Sequence, residues 1–358
     1  MRILLIGEFS GVHQNLAIGL RLLGHEVLIA SNQDGGKGYD CDLLIPNPRK
    51  KRFKAFYQVA QIARKFDVIQ LMVDGVLGER FGAYLPFIFL LRKNSKKLFM
   101  CSAGCDYRFH TQGKKELQIP LFEELQKAGE TTYDNFSSKI RNNIFCKLVD
   151  GIIPLQLEYY AAYKDHPKCT KPILFPFDAS CIEHSTEAVK KTPLNFYHGA
   201  SKKRSGFKGS SHIEAAFKKA SKIYPETQAK FLINDLVPFE EYKKIIQDTG
   251  VLFDQTNGKT YGMNVLLGWA QGKIVGVSLN INDPQWQEWI KLVGINPNDV
   301  PFVPTLSPNS ENILKAIDQT LALSQEELIL NSEKARAFVE KYHDPKKIAE
   351  QFISTWTT

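Results

Sequence analysis

The sequence predicts an α/β protein made of two Rossmann-like domains, each with a doubly wound parallel sheet, which face each other across a cleft. Short apolar segments typical of buried parallel strands alternate with segments of helical periodicity along nearly the whole chain. The alternation stops once, around the prolines of residues 172–193, and then resumes. Since 358 residues suffice for two domains of ordinary size, two repeated strand–helix series indicate two parallel sheets.

The first predicted domain, residues 1–185, begins with the buried strand of residues 2–7, which ends at Gly7. Residues 12–23 then carry apolar side chains at helical spacing, and Gly24 is a stop signal. The later segments alternate in the same way. Further strands are predicted at 26–30, 67–73, 97–102 and 151–155, and further helices at 53–66, 85–91, 137–148 and 158–163.

The second predicted domain, residues 186–340, starts after a polar, proline-containing connection. Its predicted strands are 194–198, 230–233, 251–254, 273–277 and 300–303, and its predicted helices are 210–223, 240–248, 262–270 and 310–323. Residues 324–358 have a helical pattern throughout, and residues 341–358 are expected to pack back on the first domain. Ligands of open α/β sheets bind beyond the carboxyl ends of the strands, so the loops there are the candidate site.

Composition describes a soluble globular protein, with 43% hydrophobic and 23% charged residues. No secretory signal precedes the first strand, and the six cysteines lack metal-site spacing, so reduced thiols and a cytoplasmic location are expected. The longest apolar run, residues 81–91, is shorter than the roughly 20 residues needed to span a bilayer. Pro86 interrupts this run, so a buried helix is expected, with an interfacial helix as the alternative.

The net charge of +8 is concentrated in two short basic clusters. The first runs from Arg49 to Lys54, and the second from Arg92 to Lys97. Such clusters contact an anionic membrane surface, bind nucleic acid or form a solvated face. No nucleic-acid-binding motif accompanies them, so nucleic acid is not an expected partner.

The segment NFYHGASKKRSGFKG, residues 195–209, indicates a phosphate site. It has the pattern of a buried strand, a basic loop that begins at Gly199, and the start of a helix. Lys203, Arg204 and Lys208 supply cations that can neutralise phosphate oxygens. The alternative is a basic surface loop, which has less need for glycines at 199, 206 and 209.

A second segment, DQTNGKTYGMN at residues 254–264, repeats this strand–loop–helix pattern. The stretch Tyr261, Gly262, Met263 and Asn264 opens a helix, whose backbone N–H groups can bind an anion. Asp254 and Gln255 end the preceding strand, where they either contact the donor or form a turn and cap. Two such loops in neighbouring units predict a nucleotide-diphosphate pocket.

Two loops of the first domain complete the predicted site. The first joins strand to helix through Gly7, Gly11 and His13, and it lacks the GxGxxG dinucleotide fingerprint. His13 faces either the cleft or solvent at the start of the helix. In the second loop, after the strand 97–102, Asp106 either orients an acceptor hydroxyl or caps a helix.

Together these segments resemble the GT-B glycosyltransferases of family 4, the glycosyl transferases group 1 proteins. The first βαβ unit and the closing residues 335–356 resemble the same family, so the resemblance covers nearly the whole chain. It implies that Arg204 and Lys208 stabilise a leaving diphosphate, and that Asp106 lies beside the acceptor. It also implies a glycine-rich loop around Gly11 and His13 beneath the donor, and no metal ion or other cofactor.

The chain departs from the family pattern at three positions. The family has two glutamates that contact the donor sugar and its ribose, and Lys259 and Leu267 occupy the matching positions. Ala103 stands where the family often has a histidine near the reacting sugar. These departures leave the identity of the donor open.

The resemblance implies a hexosyltransferase that moves a sugar from a nucleotide-diphosphate donor to a glycan or lipid-linked acceptor, with retention of configuration. The two basic clusters suggest that such an enzyme is peripheral on the inner face of a membrane. Two alternatives remain: a sugar-nucleotide epimerase of the same fold, and a non-catalytic protein that binds sugar or nucleotide. The missing glutamates favour the second alternative, whereas the retained Arg204 and Lys208 count against it.

Overall fold

The structure, a computed structural model, describes residues 1–45, 49–73, 85–130, 132–200, 205–235 and 239–358. The strands, numbered in chain order, are β1 (Arg2–Ile6), β2 (Glu26–Ser31), β3 (Leu43–Leu44), β4 (Val68–Met72), β5 (Lys97–Ser102), β6 (Gly151–Pro154), β7 (Leu194–Gly199), β8 (Ala229–Asn234), β9 (Val251–Phe253) and β10 (Ile274–Gly276).

The helices are numbered in the same way. They are α1 (Val12–Leu22), α2 (Arg49–Ile62), α3 (Leu85–Asn94), α4 (Lys114–Leu117), α5 (Leu121–Lys127), α6 (Phe136–Leu148), α7 (Gln156–Tyr163), α8 (Glu187–Lys190), α9 (Ser205–Lys208), α10 (Ser210–Ile223), α11 (Phe239–Asp248), α12 (Met263–Ala270), α13 (Pro284–Val293), α14 (Ser310–Leu321), α15 (Gln325–Tyr342) and α16 (Pro345–Thr357). No helix of the described chain is long and apolar enough to cross a bilayer.

The chain divides into two compact units, each with its own parallel sheet. Unit 1 comprises residues 1–118, 132–178 and 343–358, and unit 2 comprises residues 119–131 and 179–342. The predicted boundary at 185 therefore lies a few residues beyond the observed one. Residues 119–131, predicted to belong to the first domain, instead belong to unit 2. Sequence pattern alone could not reveal this, because it depends on tertiary packing.

Unit 1 contains a six-stranded parallel sheet with the order β3-β2-β1-β4-β5-β6. The central strands β1 and β4 are almost entirely buried, which explains their near-continuous apolar sequences. Helices α2, α3 and α6 each connect two strands of the β3, β4, β5 and β6 series, and α3 contacts both α2 and α6. By the right-handed crossover rule, these three helices cover one face of the sheet.

Helix α16 packs on α1, so the predicted return of the final helix to the first half of the chain is confirmed. The two helices approach closely at Gly19, where a Cβ atom would overlap the carbonyl oxygen of Pro345. Phe352 and Trp356 of α16 are buried in unit 1. The tail with the predicted helical pattern forms two helices, because Pro345 starts a new helix capped by the carboxylate of Asp344.

Unit 2 contains a four-stranded parallel sheet with the order β10-β9-β7-β8. Its core brings together Phe196, Phe217 and Phe253 from β7, α10 and β9. The predicted strand at 300–303 is wrong, since these residues are not in a strand, and Thr305 just after them forms an isolated bridge with Val277. Prolines at 301 and 304 lack the N–H groups that a further ladder would need.

Several other elements were not predicted, among them the one-turn helices α4, α8 and α9. Strand β3 has only two residues, which is too short for a periodic signal. Helices α5 and α13 were not predicted, although α13 begins with an Asp–Pro pair in which Asp283 caps the first turn. The apolar run is helical in its described part, α3, which buries Ile88 and Leu91 on one side and exposes Phe89 on the other, so it has features of both the buried and the interfacial alternative. Residues 81–84 lie outside the described residues.

Candidate nucleotide-diphosphate site

Lys208 lies at the carboxyl edge of the unit 2 sheet, where a phosphate site was predicted. Its Nζ donates a hydrogen bond to the carbonyl oxygen of Gly199 at 3.0 Å. The same atom lies 3.3 Å from Oδ1 of Asp254, just after β9. The Asp254 side chain is only 6% exposed, whereas that of Lys208 is 25% exposed. Three of the predicted site residues therefore meet at one point, and the ammonium group retains access to solvent.

The turn that carries Lys208 depends on two glycines for packing. Gly209 has a φ of +67°, and a Cβ atom there would overlap Oγ1 of Thr256. A Cβ atom on Gly206 would lie 2.7 Å from the carbonyl oxygen of Glu124 in helix α5. Glycine is therefore needed at these positions because α5 approaches closely on one side and residue 256 on the other.

Segment 119–131 holds this turn directly. The Glu130 carboxylate accepts a hydrogen bond of 2.7 Å from the backbone N–H of Gly206. Oε2 of Glu124 lies 3.4 Å from Nε2 of His212 on α10. The excursion of the chain into unit 2 therefore fixes the backbone that presents Lys208, a role that sequence analysis missed.

Asp254 is held by a chain of side chains from two helices. The Asn264 amide donates to Oδ1 of Asp254 at 2.8 Å, and Oδ1 of Asn264 accepts the hydroxyl proton of Tyr242 at 2.7 Å. Tyr242 belongs to α11 and Asn264 to α12. Asn264, a predicted site residue, is therefore oriented by Tyr242, which the sequence analysis did not select. It also fixes the carboxylate that pairs with Lys208.

The N-terminus of α12 is open. Gly262 is its N-cap residue in an extended conformation, and a Cβ atom there would meet nothing within 4 Å. Among the described residues, the backbone N–H groups of Met263 and Asn264 have no hydrogen-bond acceptor. Free N–H groups and the helix dipole favour an anion at such a position. This geometry agrees with the predicted role of the Gly262–Asn264 backbone.

The side chains of two other predicted residues point elsewhere. Tyr261 is buried, and its ring packs against Trp269 at a centroid distance of 5.0 Å. Only its backbone is placed to contact a ligand at the start of α12. Gln255 donates to the carbonyl oxygen of Thr260 at 3.4 Å and so stabilises the loop between β9 and α12.

His198 is a buried residue behind the site. Its Nδ1 lies 2.8 Å from the carbonyl oxygen of Phe253, so this nitrogen must carry the proton. Nε2 therefore accepts from the hydroxyl of Ser210 at 2.9 Å. Burial, with a further contribution from Lys208, lowers the pKa of His198 to about 4. This histidine is neutral and joins the ends of β7 and β9 to α10.

Neither position that matches a family glutamate offers a free carboxylate. The ammonium group of Lys259 is bound by Oδ2 of Asp283 at 2.9 Å and by Oε1 of Gln285 at 2.6 Å. Leu267 is half-buried on α12. Among the described carboxylates, that of Asp254 lies within ion-pair distance of Lys208, and Lys259 is bound by side chains at the start of α13.

The first loop of unit 1 is built around Glu8, which the sequence analysis did not select. Its carboxylate accepts from the backbone N–H of His13 at 3.3 Å and from that of Gln14 at 2.8 Å, so it caps α1. Burial raises the pKa of Glu8 to about 7, although these hydrogen bonds oppose the shift. Gly11 has a φ of +84°, which allows the loop to turn into the helix.

The expectation that the His13 ring faces open space at the helix start is wrong. The ring is fully buried, with Nδ1 2.7 Å from the carbonyl oxygen of Gly7 and Nε2 3.1 Å from the Gln70 amide. Burial lowers the pKa of His13 to about 4, so the ring is neutral. The predicted donor contact of this loop therefore cannot come from the His13 ring, and at Gly11 it can come only from the backbone.

Asp106 takes the second of its two predicted roles, that of a helix cap. Its carboxylate is fully buried, accepting from the backbone N–H of Phe109 at 2.8 Å and from the Tyr163 hydroxyl at 2.7 Å. Tyr163 in turn accepts from the amide of Asn142 at 2.9 Å. The catalytic assignment of Asp106 is corrected here, because these bonds turn its carboxylate into the core of unit 1.

Lys203 and Arg204, together with Ser201 and Lys202, lie outside the described residues. The side chains from Arg49 to Lys54 do so too. Their predicted roles remain predictions. The described cluster from Arg92 to Lys97 is partly paired, because Arg92 contacts Asp150 and Lys96 contacts Asp67, each at 2.7 Å.

No protein-family model and no curated protein sequence matches this chain. Solved structures match its fold over nearly its whole length. Sucrose-phosphate synthase from Thermosynechococcus elongatus aligns with a TM-score of 0.60 at 11% identity, covering 100% of this chain and 98% of that one. Staphylococcus aureus MnaA, solved with UDP, gives 0.53 at 10%, covering 98% and 94%.

WaaG, a glycosyltransferase involved in lipopolysaccharide biosynthesis, aligns with a TM-score of 0.52 at 12% identity, covering 98% of this chain and 99% of that one. At identities this low, the structural alignments establish the fold of the chain and do not establish its substrates. The two parallel sheets, the return of α16 to unit 1 and the matches over the full length agree with one another. The chain therefore has the GT-B fold, as the sequence predicted.

Proposed function

We propose that this protein is a retaining glycosyltransferase that acts without a metal ion. It moves a sugar, expected to be a hexose, from a nucleotide-diphosphate donor to a glycan or lipid-linked saccharide, in the synthesis of surface polysaccharides or glycoconjugates. The observation that carries the proposal is that the Lys208 ammonium and an open helix N-terminus lie close together, because both contact Asp254. The two loops that supply them follow the neighbouring parallel strands β7 and β9. Solved structures of the same fold include a glycosyltransferase and a protein bound to UDP.

The proposed chemistry follows from where charge develops. As the bond between the anomeric carbon and the diphosphate oxygen breaks, negative charge grows on the phosphate oxygens. Lys208, the N–H groups of Met263 and Asn264, and the proposed partner Arg204 would stabilise that charge, with Lys203 as a further donor contact. Fixed cations and helix N–H groups supply the electrostatic stabilisation that a metal ion provides in other transferases.

In the retaining reaction the acceptor hydroxyl attacks on the face from which the diphosphate departs. Its oxygen forms the new bond to the anomeric carbon, and its proton goes to a leaving phosphate oxygen. This step needs no protein carboxylate as base, which suits a site in which Asp106 is an internal cap. The diphosphate must then be held firmly, which is the proposed task of Lys208.

Donor recognition is proposed to depend on Asp254 and Asn264, because Lys259 is bound to Asp283 and Leu267 has no polar group. Thermal-shift measurements with UDP-, GDP-, ADP- and CMP-sugars would identify the base. A ligand that binds the native state raises stability by RT ln(1 + [L]/Kd). The correct donor should therefore give the largest shift, and Asn264→Leu should reduce it.

A turnover assay with the donor so identified distinguishes the candidate functions. Nucleotide release that requires a glycan or lipid-linked acceptor, and that Lys208→Met slows by about thirtyfold or more, would support transfer. Conversion of the donor to its epimer would support the epimerase instead. Binding without turnover over a broad acceptor panel would make the protein a sugar-nucleotide receptor. A lipid-linked acceptor would be presented at an anionic membrane on its cytoplasmic side, and the basic clusters are the proposed contacts.

A further inference from the structure

The positive charge of this protein is concentrated on one layer of helices. Helices α2, α3 and α6 together contain ten Lys and Arg residues and no Asp or Glu. The rest of the chain has 36 Lys and Arg against 38 Asp and Glu. The net charge of +8 therefore comes from these three helices alone. We call their solvent-facing side the basic face; Arg141 of α6, which is buried, does not belong to it.

The basic face is a continuous part of unit 1. Helices α2 and α3 pack through Phe56 and Phe87, whose ring centroids lie 4.8 Å apart. Asn94 of α3 also donates to the carbonyl oxygen of Ala60 on α2 at 2.7 Å. Helix α3 contacts α6 on its other side. All three helices cover the same side of the sheet, so their exposed side chains form one surface.

Among the side chains that the structure describes, each helix of the basic face exposes a large aromatic one. These are Tyr57 on α2, 57% exposed, Phe89 on α3, 52% exposed, and Phe136 on α6, 77% exposed. An exposed Lys or Arg follows each of them along its helix or just past its end: Arg64 and Lys65, then Lys93, then Lys139 and Lys147. Aromatic side chains interleaved with cations are typical of surfaces that rest on a membrane.

The exposed cations of the basic face are available to a partner. Among the described residues, Lys93, Lys139 and Lys147 have no acidic side chain within ion-pair distance. Arg92 and Lys96, which the sequence analysis placed in a basic cluster, are paired with Asp150 and Asp67. Cations in the last turn also stabilise a helix through its dipole, which accounts for Lys93 and Lys147 but for none of the aromatic residues.

We infer that the basic face binds an anionic lipid bilayer, with Tyr57, Phe89 and Phe136 inserted among the head groups and the lysines contacting lipid phosphates. This surface differs from the predicted clusters, because it includes α6 and excludes the paired Arg92 and Lys96. The inference rests on the proposed function only in its reason for a membrane partner. Binding is measured without donor or acceptor, so its failure and that of the transferase assay are distinguishable.

The test is co-sedimentation of the full-length protein with phosphatidylcholine vesicles that do or do not contain phosphatidylglycerol. We expect binding only to the anionic vesicles, and we expect added salt to weaken it. Each Lys or Arg near such a surface is worth about fivefold in partitioning. Replacing Lys93, Lys139 and Lys147 with alanine should therefore weaken binding by about a hundredfold. Replacing Tyr57, Phe89 and Phe136 with serine should also weaken it, and this loss should persist at high salt.

Matched control variants remove the same groups elsewhere on the surface. The charge control replaces three exposed lysines outside the basic face with alanine, namely Lys222, Lys346 and Lys347. The apolar control replaces three exposed aliphatic side chains with serine, namely Leu22, Ile223 and Leu330. Circular dichroism melts should show all four variants folded, since surface substitutions change stability by about 0.5 kcal/mol or less.

Three results would overturn the inference. The first is wild-type protein that does not sediment with anionic vesicles. The second is equal binding by the basic-face variants and their matched controls. The third is tighter binding to a nucleic-acid oligomer than to vesicles, which would assign the basic face to a different partner.

Discussion

Lys208 is expected to serve both stability and transition-state binding, and these roles can be separated by experiment. The perturbation is Lys208→Met, which removes the ammonium group and keeps most of the aliphatic chain. Asp254 would lose its cation but would keep the 2.8 Å hydrogen bond from Asn264. Because the Asp254 carboxylate is 6% exposed, we expect unfolding free energy to fall by about 1–3 kcal/mol.

The catalytic loss should be larger than the structural one. Removing a charge that stabilises the leaving diphosphate costs about 2–4 kcal/mol in the transition state. Turnover should therefore fall by about thirtyfold to about a thousandfold. The control is Asp254→Asn, which removes the buried charge that Lys208→Met would strand. The double variant should regain most of the lost stability, because neither charge then remains unpaired.

The assays are denaturant unfolding and donor-dependent nucleotide release at a temperature where all variants are folded. The decisive comparison is between the double variant and Asp254→Asn alone. If both turn over at the same rate, Lys208 does not act on the diphosphate, and its pairing with Asp254 is purely structural. A double variant that is stable and still slower by the stated factor would support the proposed role.

Three further predictions concern the surroundings of the site. Gly209→Ala should lower the unfolding free energy by about 2 kcal/mol or more, because its φ of +67° and the contact with Thr256 exclude a side chain. The control Gly262→Ala should have little effect, since a Cβ atom there meets nothing within 4 Å. Equal melting temperatures of the two variants would contradict the geometry. The pKa of Glu8 is about 7 in the folded protein against an ordinary value of 4.5, so between these pH values the folded state binds more protons than the unfolded state. The wild type should therefore lose up to about 3 kcal/mol of stability as the pH rises from 4.5 to 7. Glu8→Gln should flatten that part of the pH profile, and superimposable profiles would refute the assignment. Asp106→Ala should cost about 2–3 kcal/mol of stability, because the helix cap is lost and the buried Tyr163 hydroxyl loses the acceptor for its proton, and donor turnover should be nearly unchanged. A large fall in turnover at full stability would restore its catalytic role.

Strands buried on both faces were the most predictable part of the fold. The segments around β1, β4 and β5 are almost wholly apolar, because each lies inside a sheet covered on both sides. The segment at 300–303 is apolar for another reason: Phe302 packs against the core of unit 2, and its backbone is hydrogen-bonded to the Asn331 side chain of α15. Pro301 and Pro304 lack the N–H groups that a strand ladder would need. Apolar composition reports burial, and hydrogen-bonding capacity decides whether a buried segment joins a sheet.

The candidate site was predictable in position more than in detail. The strand–loop–helix sequence pattern correctly predicted that Lys208, Asp254 and the start of α12 lie close together. The pattern does not indicate the direction in which a side chain points, so the burial of His13 and Asp106 could not be predicted. Glu8 and Tyr242 escaped notice because their roles depend on partners remote in sequence or on the local path of the backbone.

The packing of α16 on α1 has a consequence for how the protein is made. The apolar side of α1 leaves the ribosome roughly 320 residues before the helix that covers it. At about 5–20 residues per second, this interval lasts roughly 16 to 64 seconds. During that time Gly19 faces no partner, and the groove that later receives Ala349 is open to solvent. The nascent chain is therefore a natural client for chaperones that bind exposed apolar helices, and unit 1 can complete its core only after unit 2 has been synthesised.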